Sequence, residues 1–217
     1  MTFSPYVLLS NVARERCLNN MKEIPLFVKD STQKANASVL VPLCIDSNEL
    51  CLLYTLRSLK LKNHSGQMAF PGGKMDENET VYETALRETE EEIGFPRNDV
   101  DIWGKMQKVQ GRNKDVVIMP VVGYLKNFSM ERLCANEDEV ADIFTVPIRT
   151  LCDPKNHAHL LFEEITAPVY LGCKHRIWGI TGIITHLFLE AFLPKSLYNV
   201  NFLQKRFGFD ELMPSKL

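Results

Sequence analysis

Four glutamates, Glu88, Glu90, Glu91 and Glu92, fall in a stretch whose flanks read as the two ends of a helix. Thr80 with Glu83 three residues later is a capping-box start. Gly94 followed by Pro96 is a stop. The acids therefore crowd the last two turns, where the helix dipole is negative and disfavours carboxylates. The i,i+4 pair Glu88 and Glu92 adds repulsion, and a counter-cation would relieve both effects. At about 100° per residue, Glu92 lies roughly 40° from Glu88 and Glu91 roughly 60° to its other side, so three carboxylates share a face. Tyr82, Ala85, Leu86 and Ile93 form a separate apolar stripe. Oxygen donors alone suit a hard cation, Mg²⁺ or Mn²⁺. A solvated acidic face is the alternative, and the cluster by itself admits both.

The elements that must hold this helix follow from pattern. Leu8, Leu9, Val12, Leu18 and Met21, mixed with Arg14, Arg16 and Lys22, predict one short amphipathic helix and then an extended segment through Phe27. Ala37–Ile45 predicts a buried strand and Leu50–Leu56 a second, joined at Asp46-Ser47-Asn48 as a hairpin. Met68–Phe70 predicts a short strand feeding Pro71-Gly72-Gly73. Ile102–Gln110 and Val116–Leu125 read as strands around a turn at Gly111–Lys114. Glu137–Phe144 reads as a short helix or acidic loop, and the segments between Leu160 and Trp178 as a two- or three-stranded rim. An apolar helix over Thr181–Phe192 stops at Pro194, and a last short helix covers Leu197–Phe207. Without repeats or low-complexity segments, the economical assembly is an α/β domain with a mixed sheet flanked by helices.

The spacing around the acids is more specific than the acids themselves. It runs Gly73, five residues, Glu79, seven residues, Arg87-Glu88, Thr89, Glu90, Glu91-Glu92, Ile93, Gly94, Phe95. This resembles the signature of the Nudix hydrolases, with Thr89 standing where an aliphatic residue is preferred. The resemblance implies an α/β/α sandwich with a mixed central sheet, and hydrolysis of a nucleoside diphosphate linked to another group. It further implies that Glu88, Glu91 and Glu92 bind the metal while Glu79 and Arg87 brace the loop and helix. Upstream, Thr55-Leu56-Arg57-Ser58 and then Leu61-Lys62-Asn63-His64-Ser65-Gly66-Gln67-Met68-Ala69-Phe70-Pro71-Gly72-Gly73 resemble the motif of the coenzyme A diphosphatase branch. Lys62 replaces its usual Arg, and Lys cannot copy a bidentate contact. Downstream, Asn136–Val140 resembles the family's acidic loop, and Ile177–Thr181 its Trp-Gly-x-Thr helix entry.

On this resemblance Arg57, Lys62, Gly72 and Gly73 are expected to hold the substrate, and Arg87, Glu91 and Glu139 to serve catalysis. Which of Glu91, Glu92 and Glu139 takes the proton stays open, and Glu137 or Asp138 could stand in for Glu139. Arg57, Lys60, Lys62, His64 and Lys74 place cations beside the acids, as a polyphosphate requires. His64 reads as structural, and Trp178 as core. The expected substrate is coenzyme A or an acyl-CoA, with a pyrophosphatase for NADH or a nucleotide sugar, or a catalytically dead CoA-binding module, as alternatives.

The chain has 217 residues and 45% hydrophobic content, enough for one full core. The expected organisation is an extension over 1–36, a catalytic domain over 37–192 and a tail over 193–217. A net charge of −2 gives no reason to expect nucleic acid or an acidic membrane surface. Six scattered cysteines without a Cys-x-x-Cys pair argue against zinc and a disulfide framework. No apolar run is long enough to cross a bilayer, and the first residues lack the basic region of a secretory signal. The terminal Ser215-Lys216-Leu217 reads as a peroxisomal matrix address, with the import receptor as partner.

Overall fold

Along the first two long strands, burial alternates between two faces. In β1 (Ala37–Asp46), Val41 and Leu43 enter one apolar cluster while Leu40 and Cys44 enter another. In β2 (Glu49–Arg57), Leu50, Leu52 and Tyr54 follow the first, and Cys51 and Leu53 the second. A strand covered on both faces reads as a nearly unbroken apolar run, which is how β1 reads in the sequence. Ser47 and Asn48 both have positive φ (49° and 64°), as a two-residue type I′ hairpin turn requires. The computed structural model describes residues 3–26, 28, 32–61, 65–110, 115–162, 165–200 and 205–213.

The other elements are α1 (Pro5–Leu8), α2 (Asn11–Glu23), β3 (Met68–Ala69), β4 (Gly72–Lys74), α3 (Val81–Ile93), β5 (Val100–Lys105) and β6 (Val109–Gln110). They continue with β7 (Val117–Leu125), β8 (Val140–Pro147), α4 (Ile148–Cys152), β9 (His157–Phe162), β10 (Ile165–Tyr170), α5 (Gly179–Phe192), β11 (Arg206–Phe207) and α6 (Phe209–Leu212). The main sheet runs β3-β2-β1-β7-β5, with β4 also on β1, β6 on β7 and β8 on β2. The β1–β7 pairing is parallel and its neighbours are antiparallel, so the sheet is mixed. Helix α3 packs on one face through Ala85 and Ile93. Helices α2 and α5 cover the other, where Cys17 and Met21 meet Phe188 and Phe192. The result is the expected α/β/α sandwich, with a smaller sheet, β10-β9-β11, beside it. Among the described residues no helix is long and apolar enough to cross a membrane.

Several elements differ from expectation. The amino-terminal helix is two helices, because Ser10 caps a new start by accepting from the Ala13 N–H at 3.3 Å. The strand expected over Ile102–Gln110 breaks at residues 106–108 into β5 and β6. The acidic segment is a turn at 137–139 followed by strand β8, since residues 140–147 pair with β2. Of the helix expected over 197–207, residues 197–200 are not helical, Arg206 and Phe207 form β11, and residues 201–204 lie outside the described residues. Trp178 is only partly buried, its ring edge-on to Phe209. All six cysteines are free thiols, and Cys134 is exposed. The turn expected at 111–114 lies outside the described residues.

Candidate active site

Strand β1 changes partner along its length. Leu43–Asp46 pair with β2, whereas Ala37–Val39 pair with β4. Strand β2 meets β3 through Thr55 and Leu56. The segment from β3 to β4 therefore fills the gap where β1 and β2 part, and the acidic face of α3 lies against it. The Gly72 N–H donates to Glu92 Oε2 at 3.3 Å. A Cβ on Gly73 would lie 2.4 Å from the Glu88 carboxylate. Gly72 itself has φ +152°, and a Cβ there would sit 2.3 Å from the Ser38 carbonyl. Gly72→Ala is therefore expected to cost about 2–3 kcal/mol of stability. Urea unfolding measures this, and an unchanged midpoint would mean that β1 and β4 separate locally at no cost.

Helix α3 begins and ends as its sequence dictates. The Thr80 hydroxyl accepts from the Glu83 N–H, and Glu83 Oε2 accepts from the Thr80 N–H at 2.8 Å. Gly94 closes the helix at φ 69°. Thr89 is fully buried, and its hydroxyl donates to the Ala85 carbonyl at 2.6 Å, so the unusual residue satisfies itself within the helix. Ser38, also buried, donates from its hydroxyl to the Val81 carbonyl at 2.7 Å and anchors the first turn to β1.

The crowded acids find separate partners. Arg87 grips Glu79 with two hydrogen bonds, Nε to Oε1 at 2.7 Å and Nη2 to Oε2 at 3.0 Å. Its Nη1 reaches Glu88 and Glu91 at 2.9 Å each, and Nη2 also donates to the Lys74 carbonyl. Arg87 hydrogen bonding, helped by the Asp76 N–H, holds the Glu79 carboxyl down to about 2. Glu90 pairs with Arg97. Glu91 faces outward with its side chain 54% exposed, while that of Glu88 is only 15% exposed. Burial raises the Glu88 carboxyl against the pull of Arg87, with the charges of Glu91 and Glu139 adding. Glu92 is 4% exposed. Burial pushes its carboxyl up to about 8, with Arg57 and the Gly72 N–H opposing and Glu88 and Glu139 adding.

The turn carrying Glu139 is clamped from both sides. The Cys134 and Asn136 N–H groups donate to the Ile93 and Glu92 carbonyls at 2.9 Å each, capping the end of α3. The Ser58 N–H donates to the Glu139 carbonyl at 2.8 Å. Asp138 turns away to Lys60 at 2.8 Å and Glu137 is exposed, whereas the charge of Glu139 reaches both Glu88 and Glu92. Arg57 completes the group. Its Nε is buried and has no hydrogen-bond partner among the described residues.

The fold thus brings Arg57, Gly72, Gly73, Arg87, Glu88, Glu92 and Glu139 together, with Glu91 at the rim. Lys62 and His64 lie outside the described residues. Sequence reasoning gave no role to Ser38, whose hydroxyl lies within reach of the Val81 and Met119 carbonyls, or to the backbone bond that ties Asn136 to Glu92. Among the described residues no three His, Cys, Asp or Glu side chains form a ready-made metal cage. The donors are nonetheless all carboxylates, and two are raised by burial and mutual charge. That chemistry fits a hard cation that brings its own water.

Residues 34–164 match the family described as the NUDIX domain. The chain is 37% identical to Nudix hydrolase 3 of Caenorhabditis elegans, over 84% of this chain and 85% of that protein. It is 38% identical to the mitochondrial coenzyme A diphosphatase NUDT8 of Mus musculus, over 75% of this chain and 80% of that protein. It is also 38% identical to the Homo sapiens protein of that name, over 74% and 70%. These mammalian relatives are mitochondrial by name, which overturns the peroxisomal placement expected from Ser215-Lys216-Leu217. Three residues are too short a motif to stand against similarity over most of the chain, and they lie outside the described residues.

Proposed function

The chain belongs to the Nudix hydrolase family, and from that premise we propose that it cleaves the pyrophosphate bond of coenzyme A, free or as a thioester. The products are adenosine 3′,5′-bisphosphate and 4′-phosphopantetheine or its acyl form. The observation that carries this reading is the buried Arg57 Nε, without a partner among the described residues, facing a carboxylate cluster. A buried guanidinium N–H with no protein acceptor is suited to an acceptor on the ligand, and a phosphate oxygen is the charge-matched one. The names of the mammalian relatives supply the same substrate.

Glu88, Glu91 and Glu92 would hold Mg²⁺ or Mn²⁺, which would supply polarisation of phosphoryl oxygens and a water of lowered pKa. Arg87 keeps Glu88 and Glu91 in place through its contacts to both. Arg57 offers its guanidinium to a phosphate oxygen, with Lys62 as a second cation on the motif alone. Gly72 and Gly73 leave the strand bare, so that the substrate and the carboxylates approach closely. We take Glu139 as the base for the attacking water, a reading supported by the tie of Glu91 to Arg87 and the burial of Glu92.

The test compares hydrolysis of coenzyme A, acyl-CoAs, NADH and ADP-ribose with each metal, identifying products by chromatography. Coenzyme A or an acyl-CoA should be turned over fastest; equal or faster turnover of NADH overturns the substrate assignment. Arg57→Ala is expected to raise KM for coenzyme A about tenfold or more, the scale of one lost charge-assisted hydrogen bond. An unchanged KM would remove Arg57 from the substrate site.

A further inference from the structure

The carboxy-terminal run 205–213 reaches the loop that follows Arg57. Strand β11 pairs parallel with β9. Phe207 and Leu212 are buried with Ala158, Leu160 and Val169. The Arg176 guanidinium lies 5.0 Å over the Phe207 ring, and its Nη1 donates to the Glu211 carbonyl at 2.8 Å. Phe209 meets Trp178 edge to face, with ring centroids 5.9 Å apart. These anchors deliver Met213 to Gln67, whose side-chain amide donates to the Met213 sulfur at 3.6 Å.

Gln67 belongs to the neck of the loop that leaves Arg57. The Arg57 N–H donates to the Gln67 carbonyl and the Gly66 N–H to the Arg57 carbonyl, each at 3.0 Å. A short antiparallel neck is weak alone and needs packing to hold its geometry. From the next residue, the Met68 carbonyl accepts from the Thr181 hydroxyl at 2.9 Å. The neck is thus held by α5 at Met68 and by the carboxy-terminal run at Gln67.

We propose that residues 205–213 form a positioning element for Arg57, with Met213 transmitting the contact, so that the carboxy-terminal run sets affinity for the anionic substrate without touching the reacting atoms. The inference rests on Arg57 binding substrate phosphate, as proposed above. Met213 is 39% exposed, so its truncation spares the core.

The experiment uses full-length Met213→Ala, Met213→Leu and, as a control on the same small sheet, Leu161→Ala. Met213→Ala should raise KM for coenzyme A about fivefold with kcat within about twofold, the scale of one modest contact. Met213→Leu keeps the apolar volume but offers the Gln67 amide no acceptor, so it should raise KM as Met213→Ala does, and Leu161→Ala should change neither constant. Amide exchange at Arg57 and Gly66, measured without substrate, should quicken in Met213→Ala. A wild-type KM in Met213→Ala or in Met213→Leu overturns the proposal. If the wild-type enzyme does not hydrolyse coenzyme A, the substrate reading fails, and unchanged amide exchange then overturns the positioning role separately.

Discussion

Glu92→Gln is expected to lower kcat about a thousandfold, the rate equivalent of ~4 kcal/mol of lost charge stabilisation. The amide keeps the size of the side chain and an oxygen for the Gly72 N–H, so the loss reports charge and not collapse. Stability should move the other way. Burial raises the Glu92 carboxyl from 4.5 to about 8, so in chelator the folded protein retains a proton that the unfolded chain releases. Stability from this group is therefore greatest below pH 4.5 and declines as pH rises towards about 8. Glutamine has no proton to release, and this decline should vanish from urea-unfolding midpoints taken across that range. Undiminished metal-dependent hydrolysis in Glu92→Gln would take the residue out of the ligand set.

Arg87→Lys is expected to reduce kcat/KM about a hundredfold, because displacing catalytic groups by an ångström costs that order of rate. The guanidinium meets Glu79 twice and Glu88, Glu91 and the Lys74 carbonyl once each. An ammonium keeps the charge but cannot span this fork. Freed from Arg87, Glu88 and Glu91 would rearrange, and Mn²⁺ affinity, followed by electron paramagnetic resonance, should weaken about 10- to 100-fold. Helix content should survive, since the Thr80–Glu83 cap and the Gly94 stop do not involve Arg87. Wild-type Mn²⁺ affinity and activity in Arg87→Lys would reduce the residue to a surface ion pair.

Much of this site was legible because its signals are local. The cap at Thr80, the stop at Gly94 and the facing of Glu88 and Glu92 all follow from neighbours a few residues apart, and the structure reproduces them. The Ser47-Asn48 turn is equally local. What escaped is held by distant partners. Strand β8 carries Asp142 within its apolar residues, and only its pairing with β2 turns that mixture into a strand. Strand β4 contains two glycines, poor strand formers, and exists because β1 lies beside it. Strand β11 aligns with β9 across a long stretch of chain, so at Arg206 and Phe207 the expected helix gives way to tertiary pairing. The acid clustering suggested a need for a cation, and in the protein frame Arg87 and Arg97 supply part of it. That partnership leaves the three-carboxylate face less regular than the helical wheel implies, with Glu91 turned outward.

The 134–139 turn hangs from the last carbonyls of α3, so Glu139 reaches the site on the same frame as Glu88 and Glu92. The spacing of these acids is therefore fixed at one helix end, and not by the length of the loops that join β5, β6 and β7.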